Sequence, residues 1–196
     1  MNIQMVDQRH YDLDLMQLNS LVFDLGALHG RFSEALARSG HRVIAFEADP
    51  EGVKTIPTNP KVTIVPKAIG FPTGSRQFHQ YLPCDGANGF YQNESEKAIS
   101  PGRMIEVDVI TLEDAVRFYG IPDLLKMNVE GAEIEIIENT PDDILSNIKQ
   151  ITVSFHTFCQ VITEEQAEKS RQRLRDLGFD LTFFKEFPDE CWAVRK

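Results

Sequence analysis

Cysteine is scarce in this chain: three in 196 residues, Cys84, Cys159 and Cys191. They form no CxxC pair and no metal-ligand spacing, so neither a disulfide framework nor a zinc module is indicated. They read as reduced packing thiols of a cytosolic protein. Long apolar runs are also missing, and with them any helix able to span a bilayer. No basic-apolar leader opens the chain, so secretion is not expected. Positive charge is in deficit, with 20 Lys and Arg against 30 Asp and Glu, a net charge of −10. That balance argues against a nucleic-acid backbone or an anionic membrane as the main partner. No internal repeat and no low-complexity run appears.

What remains is 42% hydrophobic and 26% charged, the profile of one globular domain over residues 1–196. "LVFDLG" (21–26) is a short apolar run closed by Asp and Gly, a buried strand stopping at a turn. "RFSEALARSG" places Phe32, Ala35 and Leu36 at helical spacing and Gly40 at the stop. "RVIAFEADP" and "KVTIVPKAIG" are further strands, which together predict a parallel α/β sheet. "SRQFHQYL" reads as extended and "RMIEVDVI" as a strand. "TLEDAVRFYG" predicts a short helix capped by Thr111 and ended by Gly120. "AEIEIIEN" is also helical, and "QITVSFHTF" is the next strand. Thr163 and Gln166 form a capping box ahead of a long helix. "FDLTFFKEF" and "CWAVRK" predict a closing antiparallel hairpin around "PDE". Residues 1–19 read as a leading helix or cover. Residues 83–101, rich in Gly, Asn and Ser, read as a surface loop near the site, with Phe90 and Tyr91 as an apolar wall.

The loop after the first strand is D-x-G-x-x-x-G: Asp24, Gly26, Gly30. Leu28 stands where a dinucleotide fold needs glycine against a pyrophosphate, which weakens a nicotinamide reading. The spacing suits a ligand without pyrophosphate, such as S-adenosyl-L-methionine. Asp24 is then the partner of its ammonium, and N–H groups at the helix start receive its carboxylate. Glu47 ends the second strand, where an acidic group accepts ribose hydroxyls. Gly26, Ala27, Gly30, Ala48 and Ala68 complete the expected cofactor-binding set. The alternative for Asp24 is a helix cap, and for Glu47 a solvated strand end.

"LLKMNVEGAE" (124–133) puts Lys126, Asn128 and Glu130 at every second position. In a strand they share a face. Burying such a row costs several kcal/mol unless the groups pair or meet a ligand. The bland alternative is a structural Lys126–Glu130 contact. Glu133 reads as a first-turn complement to the helix dipole, with a supporting partner of the site residues as the alternative. His10, His29, His41 and His79 read as surface residues.

"VFDLGALHGRFS", "VIAFEADP", "KAIG…TGS", "VDVITLEDAV" and "DLLKMNVEGAEIEIIEN" occur in the order found in FkbM-like methyltransferases, over roughly residues 20–160. The chain resembles that family of class I S-adenosylmethionine-dependent enzymes. The resemblance implies a Rossmann-like α/β fold: a mostly parallel seven-stranded sheet, helices on both faces, and a C-terminal antiparallel hairpin. It implies O-methylation of a small molecule or sugar. Lys126, Asn128, Glu130 and His156 are then the catalytic candidates, with Glu130 or His156 as base; the alternative for His156 is a hydrogen-bonded histidine at a strand end. Two positions depart from the family pattern: Asn128 stands where Asp is usual, and Ser154 where a Glu tends to precede the His. Asn for Asp removes a charged oxygen ligand, so no metal is expected. The rival reading is a cofactor-binding protein of the same fold without transfer activity.

Overall fold

The computed structural model describes residues 1–195. The chain opens with a hairpin, β1 (Ile3–Val6) and β2 (Arg9–Asp12), and a 3-10 turn. It continues through β3 (Leu21–Leu25), α1 (Arg31–Arg38), β4 (Arg42–Phe46), α2 (Pro50–Val53) and β5 (Val62–Val65). Then come β6 (Ala68–Ile69), β7 (Gly74–Gln80), α3 (Glu94–Ile99), β8 (Arg103–Ile110) and α4 (Leu112–Tyr119). The last part holds β9 (Leu124–Met127), α5 (Glu133–Asn139), α6 (Asp142–Leu145), β10 (Gln150–Ser154), α7 (Glu164–Asp176), β11 (Phe179–Phe184) and β12 (Phe187–Arg195).

Seven strands form one sheet in the order β11-β12-β10-β9-β3-β4-β5. β10, β9, β3, β4 and β5 run parallel, and β12 is antiparallel to both of its neighbours. The carboxyl ends of β3, β4, β9 and β10 therefore share one edge. β3 is buried along its whole length, as an interior parallel strand must be. Its residues divide between the two faces. Leu21, Phe23 and Leu25 join the large core under α4, α5 and α7. Val22 faces the smaller core of α1 and the N-terminal hairpin. β6, β8 and β7 form a separate three-stranded sheet.

The leading segment is a cover, but it is a hairpin and not a helix. Residues 3–6 and 9–12 pair as antiparallel strands, and Asp7 and Gln8 take the positive φ of a tight turn. The hairpin is stitched to the sheet through Gln150. Its Oε1 accepts from Asp12 N at 2.8 Å, and its Nε2 donates to Asp12 O at 3.1 Å.

Three other expectations change. The final turn is Lys185–Glu186, and "PDE" lies inside β12. Pro188 is tolerated there because the register slips beside Phe183 and Phe184, a bulge where no ladder donor is needed. The 83–101 stretch contains α3, and Asn88 and Asn93 are buried in it. His41 is buried, and His10 is half-buried against Glu190. No helix among the described residues is long and apolar enough to cross a membrane.

Candidate active site

β3 and β9 lie side by side with Asp24 opposite Lys126. The two side chains pair at 2.8 Å, and Asp24 is fully buried. Ser33 Oγ, from α1, donates to the other carboxylate oxygen at 2.7 Å. Lys126 Nζ also donates to the carbonyls of Gly26 (2.7 Å) and Leu25 (3.3 Å). Both charges are thus consumed in holding the β3 loop. Asp24 neither caps α1 nor lines a cavity; Gly30 is the residue that caps it.

Gly26 turns the chain at φ +75°, and a Cβ there would stand 2.0 Å from the Asn128 carbonyl. Only glycine lets the two strand ends come this close. Leu28 N donates to Glu47 Oε2 at 2.6 Å, and Asp49 N donates to Glu47 Oε1 at 2.8 Å. Burial pushes the Glu47 carboxyl up, while those two N–H groups and Lys126 oppose the shift.

Three cavities meet at this edge. The first is lined by Gly26, Glu47, Ala48 and Ala68 with Phe46, Ile69, Phe78 and Phe90. Counting its open mouth, it holds about 580 Å³ of space not filled by atoms. The second lies beside Gly26, Ala27 and Leu28, with Asp7, Arg31, Asp85 and Lys126. The third lies under the hairpin turn, between Arg9, Glu130, Ser154, His156, Phe158 and Glu190. Asn128 and Gly86 line all three, and Glu130 lines the first and third. Gly30 touches none; it packs on Ile56.

β9 stops at Met127, so Lys126, Asn128 and Glu130 do not form one strand face. Lys126 and Asn128 keep the shared side: Arg9 Nη2, on the hairpin, donates to Asn128 Oδ1 at 2.6 Å. Glu130 sits in the turn beyond, at φ +50°. Its carboxylate meets His156 Nε2 at 2.9 Å. His156 Nδ1 meets Glu133 at 2.9 Å, and the His156 N–H donates to the same oxygen at 3.0 Å. Burial pushes the imidazole down, but the bonds to Glu130 and Glu133 outweigh it and raise His156 to about 10.

The Methyltransferase FkbM domain model matches residues 24–181. The chain belongs to the FkbM methyltransferase family. No curated protein sequence matches it. A methyltransferase FkbM structure from Methylobacillus flagellatus KT is similar at 16% identity and a TM-score of 0.58. That match covers 92% of this chain and 45% of the other, so the chain spans less than half of that relative's length. A TehB-like SAM-dependent methyltransferase from Corynebacterium glutamicum gives 13% identity and a TM-score of 0.50, over 93% and 84% of the two chains. The sheet order with its antiparallel β12 is the class I methyltransferase fold.

In this FkbM domain, His156 has no ring nitrogen left to take a proton. It is an imidazolium at neutral pH, clamped between two carboxylates, and the expected base role does not fit it. Glu133 is fully buried, bonded to His156 and to Gly131 N at 2.9 Å. It is thus a partner of the site and more than a dipole complement. Tyr91 points away from the cavities, its hydroxyl donating to Glu135 at 3.2 Å. Sequence reasoning missed Arg9 and Glu190, whose carboxylate holds His10 Nδ1 at 2.7 Å and Thr152 Oγ1 at 3.0 Å. No pattern in the 9–12 run, Arg-His-Tyr-Asp, singles out Arg9.

Proposed function

We propose that this FkbM domain is an S-adenosylmethionine-dependent O-methyltransferase acting on a hydroxyl of a small molecule or sugar. The observation that carries the reading is the cavity between Glu47 and Glu130. It has apolar walls for a purine, a carboxylate for ribose hydroxyls, and a carboxylate at its junction with a second, polar cavity. The donor set fits the cofactor. Glu47 keeps a free lone pair on each oxygen, and Phe46, Ala68, Ile69 and Phe90 offer flat apolar contact. The cavity beside Gly26 and Ala27 carries Asp7, Asp85 and Arg31, charges that match an ammonium and a carboxylate. Asp24 acts through Lys126 and the loop, not by touching the ligand.

When bound, S-adenosylmethionine supplies an activated methyl group. The protein then has to align the acceptor, exclude water and take one proton. Glu130 is the residue we assign to the proton. It lines both cavities, and the His156 imidazolium fixes one of its oxygens. Glu130 would take the proton the acceptor hydroxyl loses, while the cofactor would supply the methyl group by cleavage of its sulfur–carbon bond and leave as S-adenosylhomocysteine. Arg9 and Asn128 orient the acceptor under the hairpin turn. Asn128 has no basic atom and serves only through its amide.

Transfer of labelled methyl from S-adenosylmethionine across a library of hydroxylated acceptors tests this reading. Label should appear in one class with the native protein and fall at least about 100-fold in Glu130→Gln. Label unchanged in Glu130→Gln removes the base assignment. A second reading, cofactor binding without transfer, is favoured by Asn128, whose Oδ1 is occupied by Arg9. It predicts binding of S-adenosylhomocysteine and no label in any acceptor.

A further inference from the structure

Asp49 lines none of the three cavities, yet it is the most heavily bonded carboxylate near them. It is 1% exposed. Oδ1 accepts from Glu51 N at 2.9 Å and from Gln80 Nε2 at 2.6 Å. Oδ2 accepts from Cys84 N at 2.9 Å and from Asn88 Nδ2 at 3.0 Å. Only the bond to Glu51 is what the N-cap of α2 requires. The other three run to β7 and to the loop after it.

That loop makes a wall of every cavity. Asp85, Gly86, Asn88 and Phe90 line the first, Gly86 and Ala87 the third, and Cys84, Asp85 and Gly86 the second. Its neck is closed at Asn88. The Asn88 amide donates to Leu82 O at 2.8 Å and to Asp49, and its oxygen accepts from Tyr81 N at 2.8 Å. On the other side, the N–H of Asp49 is bonded to Glu47. A continuous hydrogen-bonded path therefore runs from Glu47 through Asp49 to the loop.

We propose that Asp49 is a positioning residue that ties the 82–90 loop to the Glu47 edge, so that filling the cofactor cavity orders the wall of the acceptor cavity. This rests on the cofactor reading above. Ligand contact at Glu47 restrains the Asp49 backbone. Asp49 passes the restraint to Cys84 and Asn88 through charge-assisted bonds, which are stronger than neutral ones.

Asp49→Asn separates this role from simple capping. Asn caps helices as well as Asp does. Its amide, however, has one acceptor end and one donor end, so two of the four N–H groups lose their partner. Hydrogen exchange and S-adenosylhomocysteine calorimetry on the full chain read the outcome. In the native protein the ligand should slow exchange at Cys84–Phe90. In Asp49→Asn those amides should exchange about tenfold faster without ligand and lose the ligand-induced slowing. The dissociation constant should rise about tenfold, while protection in β3 and β9 stays as it was. Gln80→Ala, which removes one of the four Asp49 bonds together with the bond from Arg103 Nε, should shift the same amides less and guards against a variant that does not fold.

Unchanged exchange and affinity in Asp49→Asn would overturn the proposal, as would a uniform loss of protection in both variants. If the native protein takes up no S-adenosylhomocysteine, the cofactor reading fails and the coupling with it. The exchange of ligand-free Asp49→Asn then still reports whether the anchor exists.

Discussion

A lysine in the middle of a sheet needs a partner, and Lys126 has the residue directly across from it. Asp24 and Lys126 are both buried, so removing either leaves a lone charge in the interior. Asp24→Asn or Lys126→Met should each cost about 3–5 kcal/mol in urea unfolding, and the double variant less than the sum. His156 makes a pH-dependent contribution. Its pKa rises from 6.5 to about 10 in the fold. The stability it supplies is complete below about pH 6.5 and is lost as pH climbs toward 10. Urea midpoints across that window should fall with rising pH. In Glu133→Gln the fall should be smaller and end at lower pH, because one of the two carboxylates that hold the imidazolium is gone.

At the scale of elements, alternation in sequence was a good guide while the chain stayed extended. It put Lys126 and Asn128 on a common side, while β3 was legible as a short apolar run, buried on both faces. It failed at Glu130, because a turn at positive φ breaks the two-residue period. It also left the hairpin unread: two four-residue strands joined by Asp7 and Gln8 lack the Gly or Asn that marks a tight turn. Helix ends were more legible, since caps are local chemistry. Thr163 accepts from Gln166 N and Gln166 returns the bond, as a capping box requires. Thr163→Ala should therefore lower stability by about 1 kcal/mol in thermal or urea unfolding. The loop glycine is stricter. Gly26→Ala has no room beside the Asn128 carbonyl. It should push the strand ends apart and lose ligand binding at the first cavity before global unfolding, seen by comparing calorimetry with circular dichroism.

At the scale of the whole molecule, parallel strands gather distant residues at one edge. Gly26, Glu47, Asn128 and His156 come from four strand ends and converge there because β3, β4, β9 and β10 run the same way. That convergence was readable from the order of strands and helices. The partners were not. Which carboxylate holds His156, and which guanidinium reaches Asn128, depends on contacts across more than a hundred residues in the second case. The hairpin covers the sheet face where β9 and β10 end, and its turn closes the third cavity.

The central claim is that Glu47 and its cavity hold S-adenosylmethionine. Calorimetry of S-adenosylhomocysteine with the native chain and with Glu47→Ala tests it most directly. The account predicts saturable one-to-one binding by the native chain and at least about tenfold weaker binding by the variant. Equal binding by both, or none by the native chain, would contradict it.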